Sequence, residues 1–99
     1  MYGLIGQFKA VAGKRDELVA ILLEGSDAMP GCLSYIVACD AADPDTIWIT
    51  EVWTDQASHR ASLALPTVKA AIVRGKPLIA SFGQHQETRP VGGVGLTPA

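Results

Sequence analysis

The chain has 99 residues, 48% hydrophobic and 18% charged, with a formal net charge of −2. That length gives one domain, and the composition is too apolar for a disordered segment. The basic residues are scattered from Lys9 to Arg89 with no phosphate-tracking stripe, so nucleic acid is excluded as the expected partner.

Met1 runs straight into an apolar, strand-like segment, without a basic n-region or a small-residue cleavage site. The longest strongly apolar run, Val19 to Leu23, is too short for a bilayer, so a soluble cytoplasmic protein with no membrane partner is expected. Tyr2 to Lys9 is β-rich, and Gly13 then punctuates before a helical pattern over residues 14–29, in which Leu18, Ile21, Leu22, Gly25 and Met29 share a face. Asp16 and Glu17 suit the positive end of that helix, and Met29-Pro30-Gly31 ends it.

Cys32 to Cys39 reads as the second strand and Thr46 to Thr54 as the third, joined by the turn cluster Asp40 to Asp45 into an antiparallel hairpin. Alternation places Ile47, Ile49, Glu51 and Trp53 on one face of the third strand, and Trp48, Thr50 and Val52 on the other. On the second strand it separates Leu33, Tyr35 and Val37 from Ile36 and Ala38. By the same rule Cys32 and Cys39 point to opposite faces, roughly 23 Å apart at ~3.3 Å per residue. They are expected to be two small buried thiols, since no CxxC or Cys/His spacing suits a metal.

Thr54 or Asp55 can cap a short helix reaching about Leu63, and Pro66 suits the first turn of a second one, PTVKAAIVR, stopped by Gly75 and Pro77. Leu78 to Thr88 supplies the fourth strand, with His85 in the same parity as Ser81, Gly83 and Glu87. The order β-α-β-β-α-β is the α+β, ferredoxin-like arrangement, an antiparallel four-stranded sheet with helices on one face. Residues 1–89 make up this domain, and residues 90–99 form a glycine-rich tail, flexible or laid on a partner. Both sheet faces are largely apolar while the helices cover one, so the other is expected to meet its counterpart in a homodimer.

The hairpin GCLSYIVACDAADPDTIWITEVW, followed by DQASHRASLALPTVKAAI, resembles the antibiotic biosynthesis monooxygenases, which include small quinol monooxygenases. The likeness spans roughly residues 2 to 88, and rests on Pro30-Gly31-Cys32, Glu51-Val52-Trp53 and the helix reaching Leu65-Pro66. It implies a dimeric α+β barrel with a pocket between sheet and helices, and oxygenation of phenols or quinols by dioxygen without metal or flavin. Many members carry a histidine where Ser62 stands, whereas this chain has His59 three residues earlier. Haem-degrading relatives use a tryptophan and a histidine where this chain has Ser62 and Ile72, which speaks against haem chemistry.

Oxygenation without a cofactor makes the substrate its own electron donor. The protein then supplies a base, a dry pocket and donors for the anion. His59 is the leading base, because an imidazole in water titrates near ~6.5, and His85 is the alternative. Glu51 sits in an apolar row, where it either orients His59 or bonds backbone groups at the entry to the helix. Tyr35, Trp53 and Ser62 are the expected substrate-binding residues. The competing expectations are a homodimer that binds a small ligand without turnover, and an isomerase on a small oxygenated metabolite.

Overall fold

The computed structural model describes residues 1–96. Four strands, β1 (Tyr2–Ala10), β2 (Cys32–Cys39), β3 (Thr46–Trp53) and β4 (Ile79–Thr88), form one antiparallel sheet in the order β2-β3-β1-β4. Three helices accompany them: α1 (Arg15–Gly25), α2 (Gln56–Ser62) and α3 (Pro66–Gly75), the last running into a 3-10 turn at Lys76–Leu78. The ferredoxin-like α+β architecture expected from the element order is therefore present.

Alternation gives the sheet an inner face whose core is Ala10, Ile47 and Ile49 packed on Leu18 of α1. α1 is shorter than its apolar period suggests. After Gly25 the Ser26 hydroxyl donates to the Leu23 carbonyl at 2.9 Å, and Ala28 enters the left-handed region at φ 53°. Met29 therefore lies outside the helix. α1 and α3 cross at Gly25, where an added Cβ would stand 2.5 Å from that of Ala71.

The β2–β3 hairpin is closed by Asp40. Its Oδ2 accepts the amides of Ala42 (3.0 Å) and Asp43 (2.8 Å), and its Oδ1 accepts the Trp48 indole N–H at 2.8 Å. Trp48 is thereby fixed on the outer face between Gln7 and Ala38, diagonal to the next row on that face, Ile5, Thr50 and Ile36. Ile5 and Ile36 stay exposed there, at 37% and 56%. Beyond β4, Pro90 packs near Gly3, and a turn carries the Leu96 amide to the Gly93 carbonyl at 3.2 Å. The last three positions of the expected tail, 97–99, lie outside the described residues.

Three register shifts interrupt the simple alternation, one in β2 and two in β4, where the second skips from Ser81 opposite Lys9 to Ile79 opposite Ala10. In β2 the register steps from Cys32 opposite Trp53 to Ser34 opposite Val52, so Leu33 is the extra residue. Cys32 therefore shares the inner face with Tyr35 and with Cys39, rather than opposing Cys39. Both thiols are free, and Cys39 is exposed, not buried, because it ends an edge strand. The first step in β4 runs from Phe82 opposite Phe8 to His85 opposite Gly6. Gln7 pins this bulge by accepting the Gln84 amide at 3.1 Å. Ser81, opposite Lys9, is left on the outer face, while His85 and Glu87 turn inward, so the expected common parity of Ser81 and His85 does not hold.

Candidate functional site

Between the inner sheet face and the helices lies a cavity of about 340 Å³. Its walls are mainly Leu18 and Leu22 of α1, Val68 and Ile72 of α3, and Phe8 and Ile49 of the sheet. Its polar lining comprises Tyr35, Glu51, His59 and Ser62 with Ser26 and Lys76, and Glu51 and His59 meet at the end of β3. All five residues expected from the sequence, Tyr35, Glu51, Trp53, His59 and Ser62, line this one cavity.

Their placement follows from local structure. Tyr35 stands directly opposite Glu51 in the β2–β3 ladder, and Trp53 follows two residues along the same face. α2 begins at Asp55, whose carboxylate accepts the Ser58 amide at 2.7 Å and is held below the usual carboxylate range mainly by that bond. Gly31, at φ 81°, lets the chain entering β2 pass against this first turn, where a Cβ would come within 2.6 Å of Ser58. The Thr54 amide donates to the Gly31 carbonyl at 2.9 Å and closes the junction.

α2 then delivers His59 over the end of β3. The imidazole lies between two aromatic rings, with centroids 5.4 Å from Trp53 and 5.7 Å from Tyr2. Its Nε2 is 4.0 Å from Glu51 Oε1, with the two side chains 23% and 18% exposed. This is an electrostatic contact when the imidazole is charged, too long for a hydrogen bond. Glu51 Oε1 instead accepts the Trp53 indole N–H at 3.0 Å, a partner expected neither from an orienting bond to His59 nor from backbone capping.

Burial pushes the Glu51 carboxyl up, and the indole bond and the histidines His59 and His85 partly oppose it. Burial also raises the Tyr35 phenol, with the Glu51 charge adding to the effect, so Tyr35 is a hydrogen-bond donor rather than an anion at neutral pH. Cys32 is raised for the same two reasons and stays a thiol. Ser62 is 4% exposed, and its hydroxyl donates to the His59 carbonyl at 2.6 Å. It braces the turn that carries His59 while its oxygen lone pairs remain available. Trp53 is 1% exposed, so it is packed into the cavity wall rather than standing free as a platform.

Tyr2 and Glu87 were not expected at this end. The Tyr2 hydroxyl donates to Glu87 Oε2 at 2.8 Å while its ring packs on His59. The signal for Tyr2 lay in β1, where it shares parity with Leu4, Gly6 and Phe8 on the inner face. Among the described residues no group of three or more His, Cys, Asp or Glu side chains is placed to hold a metal ion, and no helix is long and apolar enough to cross a membrane.

Residues 1–74 match the antibiotic biosynthesis monooxygenase family. A crystal structure from Chloroflexus aurantiacus J-10-fl, named as a candidate antibiotic biosynthesis monooxygenase, is 60% identical with a TM-score of 0.95, the match covering 97% of this chain and 98% of that one. One from Deinococcus radiodurans, similarly named, is 25% identical over 99% of this chain and 100% of its own, with a TM-score of 0.77. A variant of SnoaB, a cofactor-independent oxygenase from Streptomyces nogalater, shares the fold at a TM-score of 0.77 and 16% identity, covering 94% and 95% of the two chains. No curated protein matches the chain. With three-quarters of its length matched and a 60% identical relative, the chain belongs to the antibiotic biosynthesis monooxygenase family.

Proposed function

We propose that the chain is a cofactor-independent monooxygenase that oxidises a small aromatic quinol or phenol with dioxygen inside this cavity. The observation that carries the proposal is that His59, Glu51 and Tyr35 line one mainly apolar cavity, with His59 Nε2 4.0 Å from Glu51 Oε1 and Tyr35 opposite Glu51 in the ladder. Its volume, about 340 Å³, falls at the small end of ligand sites, which run from about 300 to 1,000 Å³.

The chemistry follows from electron bookkeeping. A phenol and dioxygen give a quinone and one water, so the substrate supplies all four electrons and no further reductant enters. His59 accepts the phenolic proton, and the aryloxide passes one electron to dioxygen. The two radicals join at a ring carbon. Loss of the ring proton there, with cleavage of the O–O bond, releases water and the quinone. Glu51 stabilises the imidazolium as it forms, from 4.0 Å away. The Tyr35 hydroxyl is suited to donate to the substrate oxygen, and the apolar walls keep water from the radical pair.

Turnover under ¹⁸O₂ tests this: mass spectrometry should find one labelled oxygen in each quinone product and the other in water. Tight binding of quinols with no labelled product would instead identify a ligand-binding domain without turnover.

The same proposal includes a homodimer joined through the outer sheet faces. Its support is the exposure of Ile5 and Ile36 on the same face as the half-buried Trp48, the face the helices leave bare.

A further inference from the structure

Between Asp55 and Glu87 the chain carries four basic residues, Arg60, Lys69, Arg74 and Lys76, and no acidic one; all ten acidic residues of the sequence lie at those two positions or outside them. This cationic stretch builds α2, α3 and nearly all of β4. Leu63, Ile72 and Phe82 line the cavity and yet stand exposed, at 48%, 49% and 72%, so they form the rim of its opening, two from the helices and one from the sheet. On α3, Lys69, Ile72, Val73 and Lys76 are spaced i, i+3, i+4 and i+7, which puts them in one stripe, and Lys76 continues the helix in helical conformation. All four are exposed, Val73 at 73%. Arg60 of α2 stands about one turn before Leu63. Arg74 is engaged by Glu24 at 3.0 Å, whereas among the described residues Arg60, Lys69 and Lys76 have no ion pair. The mouth of the apolar chamber is thus an apolar rim set among unpaired cations.

We infer that this surface docks on an anionic lipid bilayer, with α3 lying along the headgroups and the cavity mouth turned to the acyl chains. Two features favour a bilayer over an acidic protein. The patch pairs cations with apolar side chains along one helix stripe, as helices lying in a membrane interface do. Arg60, Lys69 and Lys76 meet the headgroup charge while Leu63, Ile72, Val73 and Phe82 enter the apolar boundary. The cavity also opens through the patch, so a bilayer lets an apolar ligand pass into the chamber without crossing water, whereas a protein seated there would close it. The shortness of the apolar runs, which rules out a spanning helix, is no obstacle, because a helix on the membrane surface needs only one apolar side. The contact is independent of the reaction proposed above and of the outer face, which lies on the other side of the sheet.

Co-sedimentation of the full chain with lipid vesicles tests this. Vesicles of phosphatidylcholine with about one-third phosphatidylglycerol should pellet the protein at about 0.05 M salt, pure phosphatidylcholine should not, and about 0.5 M salt should release it. Lys69→Glu should weaken binding about tenfold or more and Val73→Asp about fivefold or more, with melting temperatures unchanged because both side chains are exposed. Lys14→Glu makes the same change of net charge at the start of α1, outside the patch, and should leave binding within about twofold. Failure to pellet with the anionic vesicles, equal binding to pure phosphatidylcholine, or equal losses in Lys69→Glu and Lys14→Glu would each overturn the inference. Capture by a polyglutamate peptide but not by the anionic vesicles would overturn it in favour of an acidic protein partner. Turnover enters none of these readouts, so the surface is decided separately from the monooxygenase proposal.

Discussion

Glu51 is held at a cost. Its carboxyl is raised by burial, so the folded chain retains a proton that the unfolded chain releases at lower pH. The sign follows directly: stability falls as pH rises from the ordinary carboxylate range through the raised folded value. Glu51→Gln keeps an acceptor for the Trp53 indole but removes the charge. It is therefore expected to melt higher than wild type at neutral pH, with the difference vanishing in acid, as thermal denaturation across that range would show. The same variant should lose about tenfold or more in turnover, because the imidazolium loses its counter-charge. A residue that destabilises the fold while serving the chemistry is the pattern expected of a functional site. Glu51, Tyr35 and Trp53 were legible in the sequence because β3 pairs with β1 without a break from Thr46 to Trp53 and β2 pairs with β3 regularly beyond Ser34, so parity alone brings them to one face. The Trp53–Glu51 hydrogen bond was not, since two residues on one strand face have no sequence mark telling whether one reaches back to the other.

At the scale of elements, parity fails wherever a bulge intervenes. Leu33 and the step before His85 each add a residue that no alternating pattern reveals, which is why Cys32 and His85 stand on faces opposite to those their spacing suggests. The helices depend on two close approaches that the sequence marked only as glycines. Gly25→Ala would drive a methyl into Ala71 on the facing helix, and should cost about 1–3 kcal/mol in urea denaturation. Gly75→Ala meets the tip of Leu18 at 3.3 Å, which can rotate away, and Ile21 at an ordinary 3.7 Å, so its cost should be clearly smaller. Equal losses in the two variants would mean that the α1–α3 crossing is not set by Gly25. The short α2 was legible because Asp55 is a recognisable cap and Pro66 a recognisable start, and its position over β3 fixes where His59 points.

For the whole molecule, the order of strands and helices was readable because each element has its own punctuation: Gly13, Pro30-Gly31, Asp40 to Asp45, Pro66 and Pro77. What covers the outer face is not encoded in one chain's alternation. Light scattering should report a dimer at micromolar concentration, and Ile36→Glu, a charge in the centre of the bare face, should shift it to monomer while the fold persists. A wild-type monomer would sink the sheet-to-sheet pairing. The central claim, that this family member oxygenates with its own residues, is tested most directly by oxygen uptake over a panel of hydroquinones with wild type and His59→Ala. One dioxygen consumed per quinol, with the rate falling about 10²-fold or more in His59→Ala, is the predicted result. No uptake above the buffer rate for any hydroquinone, or an unchanged rate without His59, would contradict it.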